Sequence, residues 1–392
     1  MGQKNTNRMN THCFGHYQVG NFTVFSKVEA LELSQRTNTP ITWHYNDDVF
    51  DAQDWTQEPE KNLADFYMDR ARQIRDNYDY VVLFYSGGAD SHNMLESFIH
   101  AGIHIDEIAS FHSLAADGDQ KSEFNREIFE TAIPFVNSLR QQEKLSKDTV
   151  HRLIDMSDIV TKFCQDIDWL DFPYMMSSSV SINNVARSNL RRYILDWNNL
   201  INQGKRVGLI WGHDKPRIMH ENNKFFLNFM DIFDNCVSVS IQQSTPAGWF
   251  DEMFYSTPTM PKLVIKQAHI IKNFLEKCDE THPWVTESVT GLGHVVKHRA
   301  DGTWKTVWLT QDAQSMLIYP WFRPDLYYES KPKDIIYSKR DRWFWQDLTI
   351  SCQYHKVVDG LISQFGDTWL NEIPEKGLRS TKNFRSKRYW LS

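Results

Sequence analysis

The unbroken apolar run Tyr80-Val81-Val82-Leu83-Phe84-Tyr85 ends directly in Ser86-Gly87-Gly88-Ala89-Asp90-Ser91. That junction constrains the fold more than any other stretch of the chain. A strand that is apolar at every position must be covered on both faces, as parallel strands of α/β proteins are. Behind the loop, Met94, Leu95, Phe98 and Ile99 share one helical face, and Gly102 marks a stop. The alternation then continues. Residues 103–111 read as a strand, 123–140 as mostly helix with a break near Pro134, and 150–156 as a third strand. A long helix over 183–202 and a fourth strand over 206–211 follow. Strands separated by helices imply crossover connections, so the expected fold class is α/β with a parallel sheet.

The flanks differ. Residues 1–57 read as a small mixed segment, with strands over 22–25 and 41–45 around a helix over 27–35. A helix is expected over 63–74, where Leu63, Phe66, Tyr67, Ala71 and Ile74 recur at helical spacing. After about residue 245 the alternation is lost, apart from a helix over 262–277. The last hundred residues are rich in Trp, Tyr and charge. Three parts are expected: a mixed segment 1–57, an α/β domain 58–290, and an aromatic-rich region 291–392 with a basic tail.

Composition narrows the setting. No run approaches the roughly 20 apolar residues of a membrane helix, and the polar start Met1-Gly2-Gln3-Lys4-Asn5 has no apolar run behind it. Met1-Gly2 with Thr6 meets only a loose myristoylation pattern. Cys13, Cys164, Cys236, Cys278 and Cys352 are scattered and form no C-x-x-C pair. A disulfide framework or structural zinc site is not expected, and a reducing cytoplasm is. A net charge of −7 argues against a surface given over to nucleic acid.

The loop after the apolar strand is built for an anion. Free N–H groups at a helix start, together with the helix dipole, favour negative charge there. Two glycines let the backbone turn sharply and approach a phosphate without a Cβ in the way. Ser86 and Ser91 can add hydroxyl donors. Asp90 would repel bare phosphate, so it points either to a bridging Mg²⁺ or to helix capping.

Strand, Ser-Gly-Gly-x-Asp-Ser and helix in this order resemble the signature of the PP-loop ATP pyrophosphatases. That superfamily includes asparagine, GMP and NAD synthetases and tRNA-modifying ligases. The resemblance covers roughly residues 60–290, and only the six-residue motif is specific. It implies a hydrolase-like (HUP-type) sheet, Mg²⁺ and ATP, and attack at the α-phosphate with pyrophosphate leaving. On this reading Ser86, Gly87, Gly88, Ala89, Asp90 and Ser91 hold the nucleotide, and Asp90 also meets the metal. A Walker-type loop is absent, because Gly204-Lys205 lacks its partner glycine and hydroxyl.

Further candidates follow from position. Trp211-Gly212-His213-Asp214-Lys215-Pro216-Arg217 ends the fourth predicted strand, and strand C-termini of a parallel sheet open onto one crevice. Asp214 is a candidate second Mg²⁺ ligand, and Lys215 and Arg217 are candidates for the charge on leaving pyrophosphate. Lys266 lies on a helix that can cross the crevice, as phosphate-facing lysines do in asparagine synthetases. His112, just past the second strand, is a candidate for the adenine pocket. His100 and His104 are discounted as a metal pair, because Gly102 separates them. Tyr319, Trp321, Phe322, Arg323, Tyr327 and Tyr328, followed by Lys331 and Lys333, form the expected acceptor wall.

Absences choose among the chemistries. Thiouridine-forming members use cysteine pairs and deazaguanine-forming members a C-x-x-C zinc cluster; this chain has neither. Cys352 is in no sulfonucleotide-reductase motif. Residue 2 is Gly, not the Cys that opens a built-in glutaminase. The expectation is an AMP-forming, asparagine synthetase-like ligase. It would adenylate a small acceptor for ammonia or an amine, leaving room for a separate glutaminase partner. Nucleic acid is the alternative acceptor, through Lys376, Arg379, Lys382, Arg385, Lys387 and Arg388 beside Phe384, Tyr389 and Trp390. A catalytically idle nucleotide-binding module is the third reading.

Overall fold

The computed structural model describes residues 14–114, 125–176, 182–213, 215–231, 248–287, 294–326, 344, 347–366, 370–373, 378–381 and 383–392. At the N-terminus, β1 (His16–Val19), β2 (Phe22–Val24) and β3 (Ile41–His44) form an antiparallel sheet in the order β2-β1-β3. Helix α1 (Lys27–Thr37) runs between β2 and β3. Its start is capped by Ser26, and its end by Asn38 in the left-handed conformation. The expected strands and helix of this segment are present, and β1 was not anticipated. The short α2 (Asp47–Phe50) and the longer α3 (Leu63–Asn77) lead into the centre of the molecule. The side chain of Asn62 caps α3 by accepting from the Asp65 N–H.

The centre is β4 (Tyr80–Phe84), α4 (Ala89–His100), β5 (Glu107–His112) and a π-helical turn (Glu127–Ala132) that runs straight into α5 (Ile133–Gln141). Then come β6 (Val150–Asp155), α6 (Met156–Asp166), α7 (Phe172–Met175), α8 (Ile182–Ser188), a 3-10 turn (Leu190–Arg192), α9 (Leu195–Asn202) and β7 (Val207–Trp211). The expected long helix over 183–202 is therefore in three pieces. At the first break, Asn189 turns its side-chain amide back onto the Val185 carbonyl, and at the second Asn198 takes the Arg191 carbonyl. Such side chains compete with the helical ladder. No gap opens at Pro134, but the helix changes character beside it: the π-helical turn ends at Ala132 and Pro134 lies in the first turn of α5.

After β7 come the hairpin β8 (Ile218–Glu221) and β9 (Lys224–Leu227), then β10 (Trp249–Met253). The hairpin turns on Asn222 and Asn223, both at positive φ, as a tight primed turn requires. β10 corrects the expectation that the alternation ends near residue 245. It pairs parallel with β7 as a fifth strand. The central sheet is thus all parallel, in the order β10-β7-β4-β5-β6. The chain moves from β4 outward to β5 and β6, then returns to the other side of β4 for β7 and β10. The strand order reverses between β4 and β7, which makes the C-terminal ends of these two strands the topological switch point of the sheet, where crevices of such folds lie.

Helix α10 (Pro261–Leu275) follows, then the antiparallel sheet of β11 (Val285–Glu287), β12 (His294–Lys297) and β13 (Trp304–Leu309). The chain closes with α11 (Gln311–Ile318), α12 (Leu348–Phe365), β14 (Leu370–Ile373), β15 (Leu378–Thr381) and β16 (Tyr389–Trp390). β16 joins β9, so the C-terminus folds back onto the middle of the sequence. One hydrophobic core runs from Phe14 to Leu391 through all three sequence regions. Among the described residues no helix is long and apolar enough to cross a membrane.

A buried ion pair holds the N-terminal sheet to the tail. Lys27 Nζ is 2.7 Å from Asp231, and both side chains are essentially inaccessible. The same carboxylate accepts from the Tyr17 hydroxyl (2.9 Å) and the Phe384 N–H (3.0 Å). Removing one partner of a buried pair strands the other charge. Lys27→Met is therefore expected to lower unfolding stability by about 3–5 kcal/mol. Lys27→Met combined with Asp231→Asn, which removes the stranded charge but keeps an oxygen to accept from Tyr17 or the Phe384 N–H, should regain part of that loss, as denaturant unfolding of both variants would reveal.

Candidate functional site

The glycine loop occupies the C-terminal end of β4, on the crevice. Gly87 sits at φ +84°, and a Cβ there would lie 2.9 Å from the Glu127 carbonyl oxygen and 3.2 Å from the Ala132 nitrogen. The π-helical turn thus packs directly on the loop, which only glycine permits. Gly88 is the N-cap of α4. The two serines close the loop on itself. Ser91 Oγ accepts from the Ser86 N–H (3.1 Å) and donates to the Gly88 carbonyl (3.0 Å), and Ser86 Oγ accepts from the Gly88 N–H (3.1 Å). These contacts fix the loop's shape, with 3.1 Å between the two hydroxyl oxygens.

Asp90 lies in the first turn of α4, but its carboxylate caps nothing. It pairs with Lys215 across the crevice and accepts from the Tyr319 hydroxyl at 2.6 Å. The Asp90 carbonyl accepts from the Tyr255 hydroxyl, also at 2.6 Å. Tyr255 and Tyr319 stack on each other with ring centres 5.4 Å apart, and the Lys215 ammonium lies 5.2 Å over the Tyr319 ring. Burial holds both phenols well above their usual pKa, so they are donors at neutral pH.

The loop after β7 comes close because Gly212 has no side chain. A Cβ there would meet Ser91 Cα at 3.1 Å and the Asp90 carbonyl oxygen at 3.3 Å. His213 and Lys215 thereby reach the start of α4. Burial alone would raise the Asp90 pKa. Lys215, the Tyr319 hydroxyl and His213 outweigh it and bring the carboxyl below its ordinary 3.8. A folded pKa below the unfolded one means that the stabilisation is fully present above the unfolded value and is lost as pH falls through the folded one. The gap in melting temperature between wild type and Asp90→Asn should therefore be constant near neutrality and close only below about 3.8. Thermal unfolding across an acid pH series checks this.

The other candidates separate. His112 ends β5, one strand from the loop, with its ring against Phe129 (5.6 Å) and its Nδ1 buried without a hydrogen-bond partner among the described residues. Burial lowers its pKa against the opposing pull of Asp155, which keeps the ring neutral. Arg217 turns away from the loop to lie 5.8 Å from the Trp308 ring centre. Lys266 commits its ammonium to Glu58 (2.7 Å) and the Pro59 carbonyl (2.9 Å), outside the glycine loop. Asp214, Tyr327, Tyr328, Lys331, Lys333, Lys376 and Lys382 lie outside the described residues. Of the expected acceptor wall, Tyr319 reaches the site itself. Trp321 stacks on His100 at 4.7 Å, and Arg323 pairs with Asp325 at 2.7 Å.

Three side chains at Asp90 had no assigned role in the sequence: Tyr255, His213 and, as a direct partner, Tyr319. Among the described residues His213 Nδ1 is also buried without a hydrogen-bond partner. Among the described residues no three His, Cys, Asp or Glu side chains gather into a metal-binding group. No protein-family model matches this sequence, and no curated protein matches it.

Proposed function

We propose that the chain is an AMP-forming ATP pyrophosphatase of the HUP/PP-loop type. In this reading it adenylates a small acceptor for displacement by ammonia or an amine, as asparagine synthetases do, without a built-in glutaminase. One observation carries the reading. A left-handed, sterically enclosed Gly87 and a serine-closed loop stand at the switch point of a parallel sheet, with Asp90 facing Lys215. A rigid loop of this kind is suited to hold a triphosphate by its backbone.

The donor set fits Mg²⁺ in its usual phosphate-site form, with one or two carboxylates and the rest from phosphates and water. Asp90 would be the protein ligand among the described residues, and the ion would neutralise phosphate charge. An acceptor oxygen attacks the α-phosphorus, the bond to the bridging oxygen of the β-phosphate breaks, and pyrophosphate leaves. Lys215 is placed to stabilise the charge gathering on pyrophosphate. The nitrogen nucleophile then displaces AMP. Tyr319 and Lys215 meet Asp90 at the same carboxylate oxygen, Oδ1, while Tyr255, stacked on Tyr319, donates to the Asp90 carbonyl.

Two of the thiols are poorly suited to nucleophilic chemistry. Burial pushes the Cys164 thiol up to about 12 and the Cys278 thiol up to about 11, so neither is an activated nucleophile. A cytoplasmic, reducing location belongs to the same proposal. The tail does not favour a nucleic-acid acceptor, because Lys387 and Arg388 pair internally with Asp51 and Glu221.

The test is product identity. Incubation with ATP, Mg²⁺ and a metabolite extract should release AMP and pyrophosphate in equal amounts. ADP and phosphate as the only products would overturn the reading. ATP binding without any cleavage would leave a nucleotide-binding module.

A further inference from the structure

Arg217 and Arg385 stand out because each lacks a counter-ion. Both are half-buried, and among the described residues neither forms an ion pair. Arg385 reaches the segment that carries Arg217 from 166 residues beyond Met219. Arg217 immediately precedes β8, and Met219 follows two residues later on the same face of the extended chain. Arg385 Nη1 lies 3.1 Å from Met219 Sδ, and Arg385 bridges to Met230 beyond β9. The carboxylate next to that bridge, Asp231, is already spent on Lys27, Tyr17 and the Phe384 N–H. Burial and the nearby Arg217 cation both lower the Arg385 pKa, which reflects the same crowding. Two neighbouring guanidiniums withdrawn from water without an anion are costly.

The surroundings are apolar or neutral. Trp308 lies under Arg217, and Met219 lies against Arg385. His294 accepts from the Ile218 N–H through Nδ1. Burial and Arg217 together push its pKa down to about 4, so it brings no charge. Two residues back along the chain, Lys215 is on Asp90.

We infer that Arg217 and Arg385 form a subsite for the carboxylate of an organic acid beside the crevice. A guanidinium fork matches a carboxylate bidentately, and the Trp308 and Met219 walls suit an anion that carries carbon. The inference rests on the adenylation reading only in taking that acid to be the acceptor. It moves Arg217 from the leaving pyrophosphate to the acceptor, and gives the acceptor a charged anchor separate from the atom that is adenylated.

The probe is succinate, titrated into the full chain at constant ionic strength while the unfolding midpoint is followed. Inorganic phosphate is the parallel arm, and MgATP binding is measured on the same samples. Succinate should raise the wild-type midpoint saturably. Arg217→Met and Arg385→Met should each abolish the rise. Arg385→Lys, which keeps the charge but loses the fork, should weaken it roughly tenfold. Arg388→Met, at a surface pair, should respond as wild type does. MgATP affinity should be unchanged in all four variants. An equal succinate response in wild type and both Met variants, or none in wild type, overturns the subsite. An arginine-dependent response to phosphate alone overturns its assignment to a carboxylate. Absence of MgATP binding in wild type defeats the adenylation reading instead, and leaves the succinate comparison to decide the subsite.

Discussion

Lys215→Ala is expected to slow AMP formation about a hundredfold while changing ATP affinity far less, because one charge contact confined to the transition state contributes about 3 kcal/mol. The structure gives that contact its geometry. Lys215 reaches over the Tyr319 ring to Asp90, and the close approach of Gly212 to Ser91 holds its loop there. In the proposed reaction, negative charge accumulates on pyrophosphate as it leaves, and a cation fixed beforehand meets that charge without reorganising. Single-turnover kinetics separates this step from binding. The expected result is a fallen kcat with KM for ATP nearly constant. Tyr319→Phe supplies a graded comparison, since it removes only the hydroxyl donated to Asp90. Its effect should be smaller than that of Lys215→Ala. Unchanged turnover in Lys215→Ala would reduce the pair with Asp90 to a structural link between two loops.

What could be read from the sequence follows from what burial demands. β4 and β7 were legible because every position, or nearly every one, is enclosed, and such strands are apolar throughout. β10 was not, because Trp249-Phe250-Asp251-Glu252-Met253 carries two carboxylates in its middle. Each is satisfied from a distance. Arg70 and Tyr78 take Glu252, while Trp211 Nε1 donates to Asp251. A polar residue that reads as a loop can thus be a buried strand position once its partners exist.

The candidate site divides in the same way. The glycine loop and Lys215 were legible, since strand ends of a parallel sheet share one edge. Tyr255 and Tyr319 were not legible as partners of Asp90, which precedes them by 165 and 229 residues. No spacing rule joins them to the loop. Arg217 shares a loop with Lys215, but it was misdirected by that proximity. Sequence spacing gave no sign of the aromatic ring that lies beside it. Trp308, from a separate sheet, is what receives its side chain.

Gly87→Ala should abolish high-affinity MgATP binding, with Kd rising roughly a hundredfold or more, for reasons that separate into two parts. The first is conformational. At φ +84° an L-residue is strained by about 1–2 kcal/mol. The second is steric, and it falls on backbone that has no side chain to swing aside. The new Cβ would lie 2.9 Å from the Glu127 carbonyl oxygen and 3.3 Å from Ala132 Cβ, so the loop or the π-helical turn must move. Any such shift also disturbs the bonds from the Ser86 and Gly88 N–H groups to the serine hydroxyls, which close the loop and set the path of the backbone proposed to carry phosphate. Gly102→Ala isolates the first part. It has φ +65° but nothing within 4 Å of the added Cβ. That variant should lose a similar increment of stability and bind MgATP as wild type does. Equilibrium dialysis of the three proteins, paired with their melting temperatures, gives both quantities. Wild-type affinity in Gly87→Ala would mean that the nucleotide, if bound at all, does not rest on this loop. Equal loss in Gly87→Ala and Gly102→Ala would trace the effect to stability alone and remove the steric argument on which the cradle depends.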